Sequence, residues 1–176
     1  MDTIALAPPV HADLDALLAF ELANRAFFEA TINARPAAYY SREGVAQAIE
    51  AAIGDAANDR GYQFLVKSGA GALLGRVNLT GVKRQHYHCA VLGYRIARDA
   101  CGRGLASEAV RQLLALAFAR LDLVRIEAGA RADNAGSIRV LERNGFVQFG
   151  HSRRSFELRG QWYDCLHFER HALPAA

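Results

Sequence analysis

Several features that would point away from a simple cytoplasmic domain are missing. The three cysteines, Cys89, Cys101 and Cys165, are odd in number and have no paired spacing, which argues against a disulfide framework. No set of ligands recurs at zinc-binding intervals, so no metal is expected. The first residues, Met1-Asp2-Thr3-Ile4-Ala5-Leu6-Ala7-Pro8-Pro9, lack the basic start and long apolar core of a signal peptide. No uncharged run reaches the ~18 residues that a membrane helix needs, and no membrane partner is expected. The net charge of +3 is small and scattered, too little to argue for direct nucleic-acid binding. Repeats, linkers and low-complexity runs are absent as well. These absences leave a soluble protein of the cytoplasm, folded as one domain over residues 1–176.

What is present suits such a domain. The chain has 176 residues, 52% hydrophobic and 22% charged, enough to bury a sizeable core and too apolar for disorder. Residues 3–7 read as a short strand. Leu14, Leu17, Leu18, Leu22 and Ala26 recur at helical spacing between Ala12 and Phe28, and Pro36 closes that region. Ser41, followed by Glu43 and Gly44, reads as a second helix start, with Val45, Ile49, Ala52 and Ile53 on its apolar face. Residues 54–61 read as a loop. The period then falls to two: strands over 62–67 and 72–80 are joined by the turn Ser68-Gly69-Ala70-Gly71, and a third strand is expected over 86–97. Leu105 to Leu121 is the clearest helix, with Ala109, Val110, Leu113, Leu114 and Ala117 along one side. A strand over 124–130, a short helix over 134–144 and two strands, 146–158 and 162–170, complete the chain. The last two are joined at Arg159-Gly160-Gln161. This order predicts an α/β (α+β) fold with a mixed sheet covered by helices on both faces.

The densest chemistry lies at Cys101-Gly102-Arg103-Gly104-Leu105-Ala106. A strand ends near Ala97, two glycines follow, and a strong helix begins at once. Glycine lets the backbone turn tightly and approach a ligand. The helix start, through Ser107, presents free N–H groups and the positive end of the dipole. Together they suit a pyrophosphate, with Arg95, Arg98 and Arg103 as nearby charge. A plain glycine turn is the alternative. The run is not a P-loop, because no Gly-Lys-Ser/Thr follows, nor a dinucleotide fingerprint, because Ser107 stands where its last glycine belongs.

The loop resembles the pyrophosphate loop of the GNAT superfamily of N-acetyltransferases, Gln/Arg-x-x-Gly-x-Gly/Ala. Gly104 and Ala106 match the last two fixed positions, while Cys101 occupies the first. A second stretch, Asn134 to Phe146, resembles that family's Asn-x-x-Ser/Ala…Leu-Gly-Phe helix and turn. The Tyr that many members carry four residues before this glycine is Leu141 here. The Asn-x-x-Ser form, Gly160-Gln161-Trp162-Tyr163-Asp164, Tyr87 to Tyr94 and Asn24-Arg25-Ala26-Phe27-Phe28 are similar to the RimJ/RimL branch, which acetylates N-terminal amines of ribosomal proteins.

The resemblance implies a GNAT fold with a mostly antiparallel sheet, splayed at the site of acetyl-CoA. It implies transfer of the acetyl group to an amine through a tetrahedral intermediate. Pantetheine would pair with the backbone of Tyr94, Arg95 and Ile96, and the pyrophosphate with residues 101–107. A backbone N–H near Tyr94 is the candidate oxyanion contact. Asn134 is a candidate pantetheine contact, or a helix N-cap. Ser137 is the candidate donor to the departing thiolate, or a hydroxyl bonded to its own helix. His88, expected on one strand face with His86, Ala90 and Leu92, is a candidate base; Glu157 and Asp164 are rivals unless they pair with Arg153, Arg154 or Arg159. The implied acceptor is a protein N-terminus, ribosomal proteins included. A small amine (antibiotic, polyamine or amino acid) is the second reading, and a non-catalytic acyl-CoA-binding module the third. Either a monomer or a homodimer is compatible with the sequence.

Overall fold

The protein, a computed structural model, is described over residues 3–172; residues 1–2 and 173–176 of the expected domain lie outside the described residues. The elements are β1 (Ile4–Ala7), α1 (Leu14–Glu29), α2 (Arg42–Ala57), β2 (Tyr62–Ser68), β3 (Leu73–Lys83), β4 (Cys89–Ile96), α3 (Leu105–Arg120), β5 (Arg125–Arg131), α4 (Ala135–Arg143), β6 (Val147–Leu158) and β7 (Gln161–His171). All seven strands form one sheet in the order β1-β2-β3-β4-β5-β7-β6. Every neighbouring pair is antiparallel except β4 and β5.

Helices cover both faces. Glu21 and Tyr39 meet Arg76 of β3 on one face, where α1 and α2 lie. On the other, α3 packs against β1, β3 and β4. Its expected stripe is the core: Ala109, Val110, Leu113 and Ala117 are fully buried. Leu113 alone contributes roughly 1.5–3 kcal/mol by leaving water. Ser41 caps α2, its Oγ accepting from the Gly44 N–H at 3.0 Å.

Three expectations change. The stretch 54–61 is not all loop: α2 runs through Gly54 to Ala57, and Asn58 closes it by donating from N and Nδ2 to the Gly54 carbonyl at 3.1 and 2.7 Å. A single helical glycine costs only about 1 kcal/mol, less than its alanine-rich surroundings recover. Strand β3 continues past Gly81 to Lys83 across a register shift. Strand β4 starts at Cys89, not His86. Residues 84–88 form a turn, in which the N–H groups of Tyr87 and His88 donate to the Arg84 carbonyl at 2.8 and 3.1 Å. His86 and His88 both adopt left-handed φ, +67° and +43°. They therefore do not share a strand face with Ala90 and Leu92. The last hairpin turns on Arg159 and Gly160, both at positive φ, the geometry two-residue hairpin loops favour.

Candidate active site

The site begins where two parallel strands part. β4 and β5 pair from Cys89↔Arg125 to Leu92↔Ala128 and no further. Beyond that point β5 stays paired with β7 as far as Arg131, and β4 with β3 as far as Ile96. The Ala97 N–H donates to the Leu74 carbonyl of β3 at 2.9 Å. Backbone groups alternate along a strand, so those of Tyr94 and Ile96 face the gap. Apart from the Ile96 carbonyl, which the Cys101 thiol reaches at 3.8 Å, they are orphaned donors and acceptors that a strand edge must satisfy with a ligand or water.

The glycine loop closes one end of the gap. Gly102 and Gly104 sit at φ +77° and +79°, a left-handed region that costs other residues ~1–2 kcal/mol. Nothing lies within 4 Å of a Cβ built on either one, so the backbone there faces open space. Gly104 is the N-cap of α3 and no side chain caps that helix. The first helical bond is Glu108 N–H to the Gly104 carbonyl at 3.0 Å, which leaves the N–H groups of Leu105, Ala106 and Ser107 outside the helix ladder. Cys101 turns back instead: its thiol donates to the Ala97 carbonyl at 3.3 Å, and burial with nearby Asp99 pushes its pKa up. The binding surface here is backbone.

Across the gap lies the start of α4. The Asn134 Oδ1 accepts from the Ser137 N–H at 3.0 Å, so Asn134 is the N-cap. Its Nδ2 is the end left to face a ligand. The Ser137 Oγ is 2.7 Å from the Tyr94 hydroxyl, which also lies 3.2 Å from the Ser137 carbonyl. Two hydroxyls thus bridge the splay from opposite walls. Burial raises the Tyr94 pKa above its ordinary value and the Ser137 hydrogen bond only partly offsets this, so the phenol keeps its proton throughout the neutral range.

A cavity of about 450 Å³ joins these parts. Of the predicted residues, Tyr94, Arg95, Ile96, Cys101, Gly102, Gly104, Leu105, Ala106, Ser107, Asn134 and Ser137 line it. Ser107 is also held from behind, its Oγ accepting from the Asn144 Nδ2 at 3.1 Å. Arg98 and Arg103 are not among the lining residues. Arg98 is exposed, and its backbone N–H is pinned by the buried Asn24 Oδ1 at 2.9 Å. Asn24, in the stretch Asn24 to Phe28, thus fixes α1 to the end of β4.

His88 is the clear correction. It sits in the turn before β4, its Nδ1 3.2 Å from the Asp122 carbonyl. Six residues of strand, roughly 20 Å at ~3.3 Å each, separate it from Tyr94, so it is no base for chemistry at the gap. Asp164 is taken by His151 Nε2 at 2.8 Å and the Arg154 N–H at 2.9 Å, and the Glu157 Oε1 accepts from the Gly160 N–H at 2.9 Å. Sequence reasoning missed Arg139 and Arg143, which line the cavity from α4; Phe27 and Phe28, within the stretch Asn24 to Phe28 that carries the resemblance, line it from the end of α1 with Thr31 and Ile32. The i, i+4 spacing of the two arginines on the helix that carries Ser137 was a usable signal. Leu141, where many members of the resembled family carry Tyr, is fully buried in the core. The hydroxyl at this site comes from Tyr94 on the opposite wall.

Residues 3–147 match the Acetyltransferase (GNAT) domain family. The chain belongs to the GNAT acetyltransferase family. This acetyltransferase is 34% identical over 163 residues to the Probable N-acetyltransferase YjcK of Bacillus subtilis (strain 168), covering 92% of this chain and 90% of that one. Its fold superposes with a TM-score of 0.92 on the ribosomal-protein-S5-alanine acetyltransferase of Vibrio fischeri, at 21% identity over 97% of this chain and 94% of the other. RimJ of Mycobacterium smegmatis in complex with CoA-disulfide gives 0.89 at 25% identity, over 98% and 85%. This acetyltransferase therefore uses acetyl-CoA, which supplies an acetyl group activated as a thioester, and transfers it to an amine. The residues present fit it: uncapped N–H groups at α3, two left-handed glycines with no side chain over them, and an unpaired edge of β4. Among the described residues no cluster of His, Cys, Asp or Glu could hold a metal ion, and no helix is long and apolar enough to cross a membrane.

Proposed function

We propose that the acceptor amine is a protein N-terminal α-amine, of the ribosomal-protein-alanine type, acetylated in the cytoplasm. The observation that carries this reading is the open shelf beside the splay. On the face that α1 and α2 cover over β2 and β3, the strands β5, β7 and β6 run on with exposed residues. Gly129 and Phe149 are exposed there, with Phe149 over the Arg125 guanidinium at 5.8 Å. The tip of the β6–β7 hairpin is exposed too, with Trp162 half exposed. An extended chain can lie along such a shelf with its end in the gap, whereas a small amine gains most from an enclosed pocket. The Vibrio fischeri S5-alanine acetyltransferase, similar in fold over nearly the whole chain, supports the same acceptor class.

The roles follow from position. The N–H groups of Leu105, Ala106 and Ser107 and the Arg139 and Arg143 guanidiniums hold phosphate oxygens. The backbone of Tyr94 and Ile96 holds the pantetheine amides, and a Tyr94 N–H faces the carbonyl oxygen that gains charge. The Tyr94 and Ser137 hydroxyls act as one unit. The phenol, the stronger acid of the two, gives the departing sulfur its proton directly or through the Ser137 Oγ. An N-terminal α-amine titrates near pH 8, so a fair fraction is already neutral and no strong base is needed.

The test is an acetylation screen of N-terminal peptides, Ala-starting ribosomal ones included, against antibiotics, polyamines and free amino acids. Acetyl groups appearing on peptide α-amines are expected. Turnover confined to the small amines would overturn the assignment.

A further inference from the structure

One buried side-chain cluster beside the gap is out of electrical balance. Glu21 is fully buried, and the equally buried Arg76 bonds to it, to the Tyr39 hydroxyl at 2.8 Å and to Gln63. The second oxygen of Glu21 lies 3.3 Å from Arg95 Nη1. Arg35 joins them, its guanidinium stacked 4.2 Å above the Tyr39 ring, with a buried Nε that has no hydrogen-bond partner among the described residues. Three guanidiniums therefore surround one carboxylate, and two positive charges are uncompensated. The neighbouring Arg25 and Glu29 pair with each other and do not alter the count. The strain registers on Arg95: burial disfavours its charge first, Glu21 opposes this, and Arg35 and Arg76 add repulsion.

The place of this imbalance matters. Arg95 follows Tyr94 in β4 and so points to the opposite face of the sheet. It nevertheless lines the same cavity as Tyr94 and Ser137, together with Phe28 and Thr31 from the end of α1. The cavity thus passes through the splay from the hydroxyl pair on one face to Arg95, the member of the cluster that lines it, on the other. Phosphates belong at the α3 and α4 end, so the cluster is left for the acceptor. A buried guanidinium without a full complement of acceptors is stabilised by an anion.

We propose that the acceptor carries a carboxylate close behind its amine, an acidic side chain within its first few residues, and that Arg95 binds it, with the charge of Arg35 behind it. The inference rests on the N-terminal reading above. Initial rates are to be measured on Ala-starting peptides that differ only in Glu, Gln or Lys at the second or third position. The expected kcat/KM is higher for Glu than for Gln by on the order of tenfold, the lower range for desolvated charge pairs, with Lys lowest. In Arg95→Gln the preference for Glu over Gln collapses towards unity, an effect that a merely structural arginine would not have on selectivity, and in Arg35→Gln it shrinks by less. Equal wild-type rates on Glu and Gln peptides at both positions overturn this inference alone. Turnover of none of the peptides overturns the N-terminal reading and this inference with it.

Discussion

The two ends of the groove are made of different materials. The end proposed for acetyl-CoA is mostly backbone: the unpaired edge of β4, the left-handed Gly102 and Gly104, and the uncapped start of α3, with Arg139 and Arg143 as its side-chain charge. The end proposed for the acceptor is side chain: Arg95 beside Glu21, the end of α1, and the exposed hairpin of β6 and β7. Backbone donors tolerate changes of side chain, which is how Cys101 can open a loop where Gln or Arg is usual in the family. Side-chain recognition has no such tolerance, so the proposed acceptor end is where specificity is expected to reside.

The largest effect should come from breaking the backbone end. Gly104→Glu puts a carboxylate and a Cβ at a left-handed position over the phosphate donors. Acetyl-CoA affinity should fall by more than about a hundredfold, while the backbone penalty of ~1–2 kcal/mol lowers the unfolding temperature only slightly; calorimetry and thermal melts read both. Tyr94→Phe, between the two ends, should lower kcat by about 10²-fold, the usual scale of a positioned proton donor, with KM for acetyl-CoA little changed. Ser137→Ala should cost less than Tyr94→Phe, since the phenol remains. An equal or larger loss in Ser137→Ala would make the serine the donor.

Smaller effects mark the boundary of the site. Arg84 donates to Asp59 at 2.5 and 2.7 Å and holds the turn before β4. The Arg84 hydrogen bonds, then the Tyr62 hydroxyl, pull the Asp59 pKa from 3.8 to about 2. A depressed carboxylate stabilises the fold above its unfolded pKa and loses that contribution as pH falls towards the folded one. The stability difference between wild type and Arg84→Gln should therefore be constant near neutrality and shrink between pH 3.8 and about 2. Both side chains are about a third exposed, so the difference is small. Smallest of all, His88→Ala should leave kcat and its pH profile unchanged, and a shifted profile would return His88 to the chemistry.

The same division explains what could be read from the sequence. Gly104, Ala106, Asn134 and Ser137 were legible because backbone geometry restricts residue type locally: glycine at left-handed φ, asparagine at an N-cap. The stripe of α3 was legible because burial is periodic. The turn at 84–88 was not, since His86, Tyr87 and His88 carry strand-like composition while the Arg84 contacts to Asp59 and Leu121, from distant parts of the chain, help to hold the turn out of the sheet. Helix α2 passed through Gly54 because its neighbours outweighed one weak residue. The charge cluster was illegible for a third reason. Glu21, Arg35, Arg76 and Arg95 come from four separate segments, and nothing in their local sequence announces that they meet.

Amide hydrogen exchange with and without acetyl-CoA tests the backbone-built end most directly. Protection is predicted at Tyr94 and Ile96 and at Leu105, Ala106 and Ser107, with residues 84–88 and the β6–β7 hairpin unchanged. Unchanged exchange at the edge of β4 and the start of α3, with saturating acetyl-CoA bound, would contradict it.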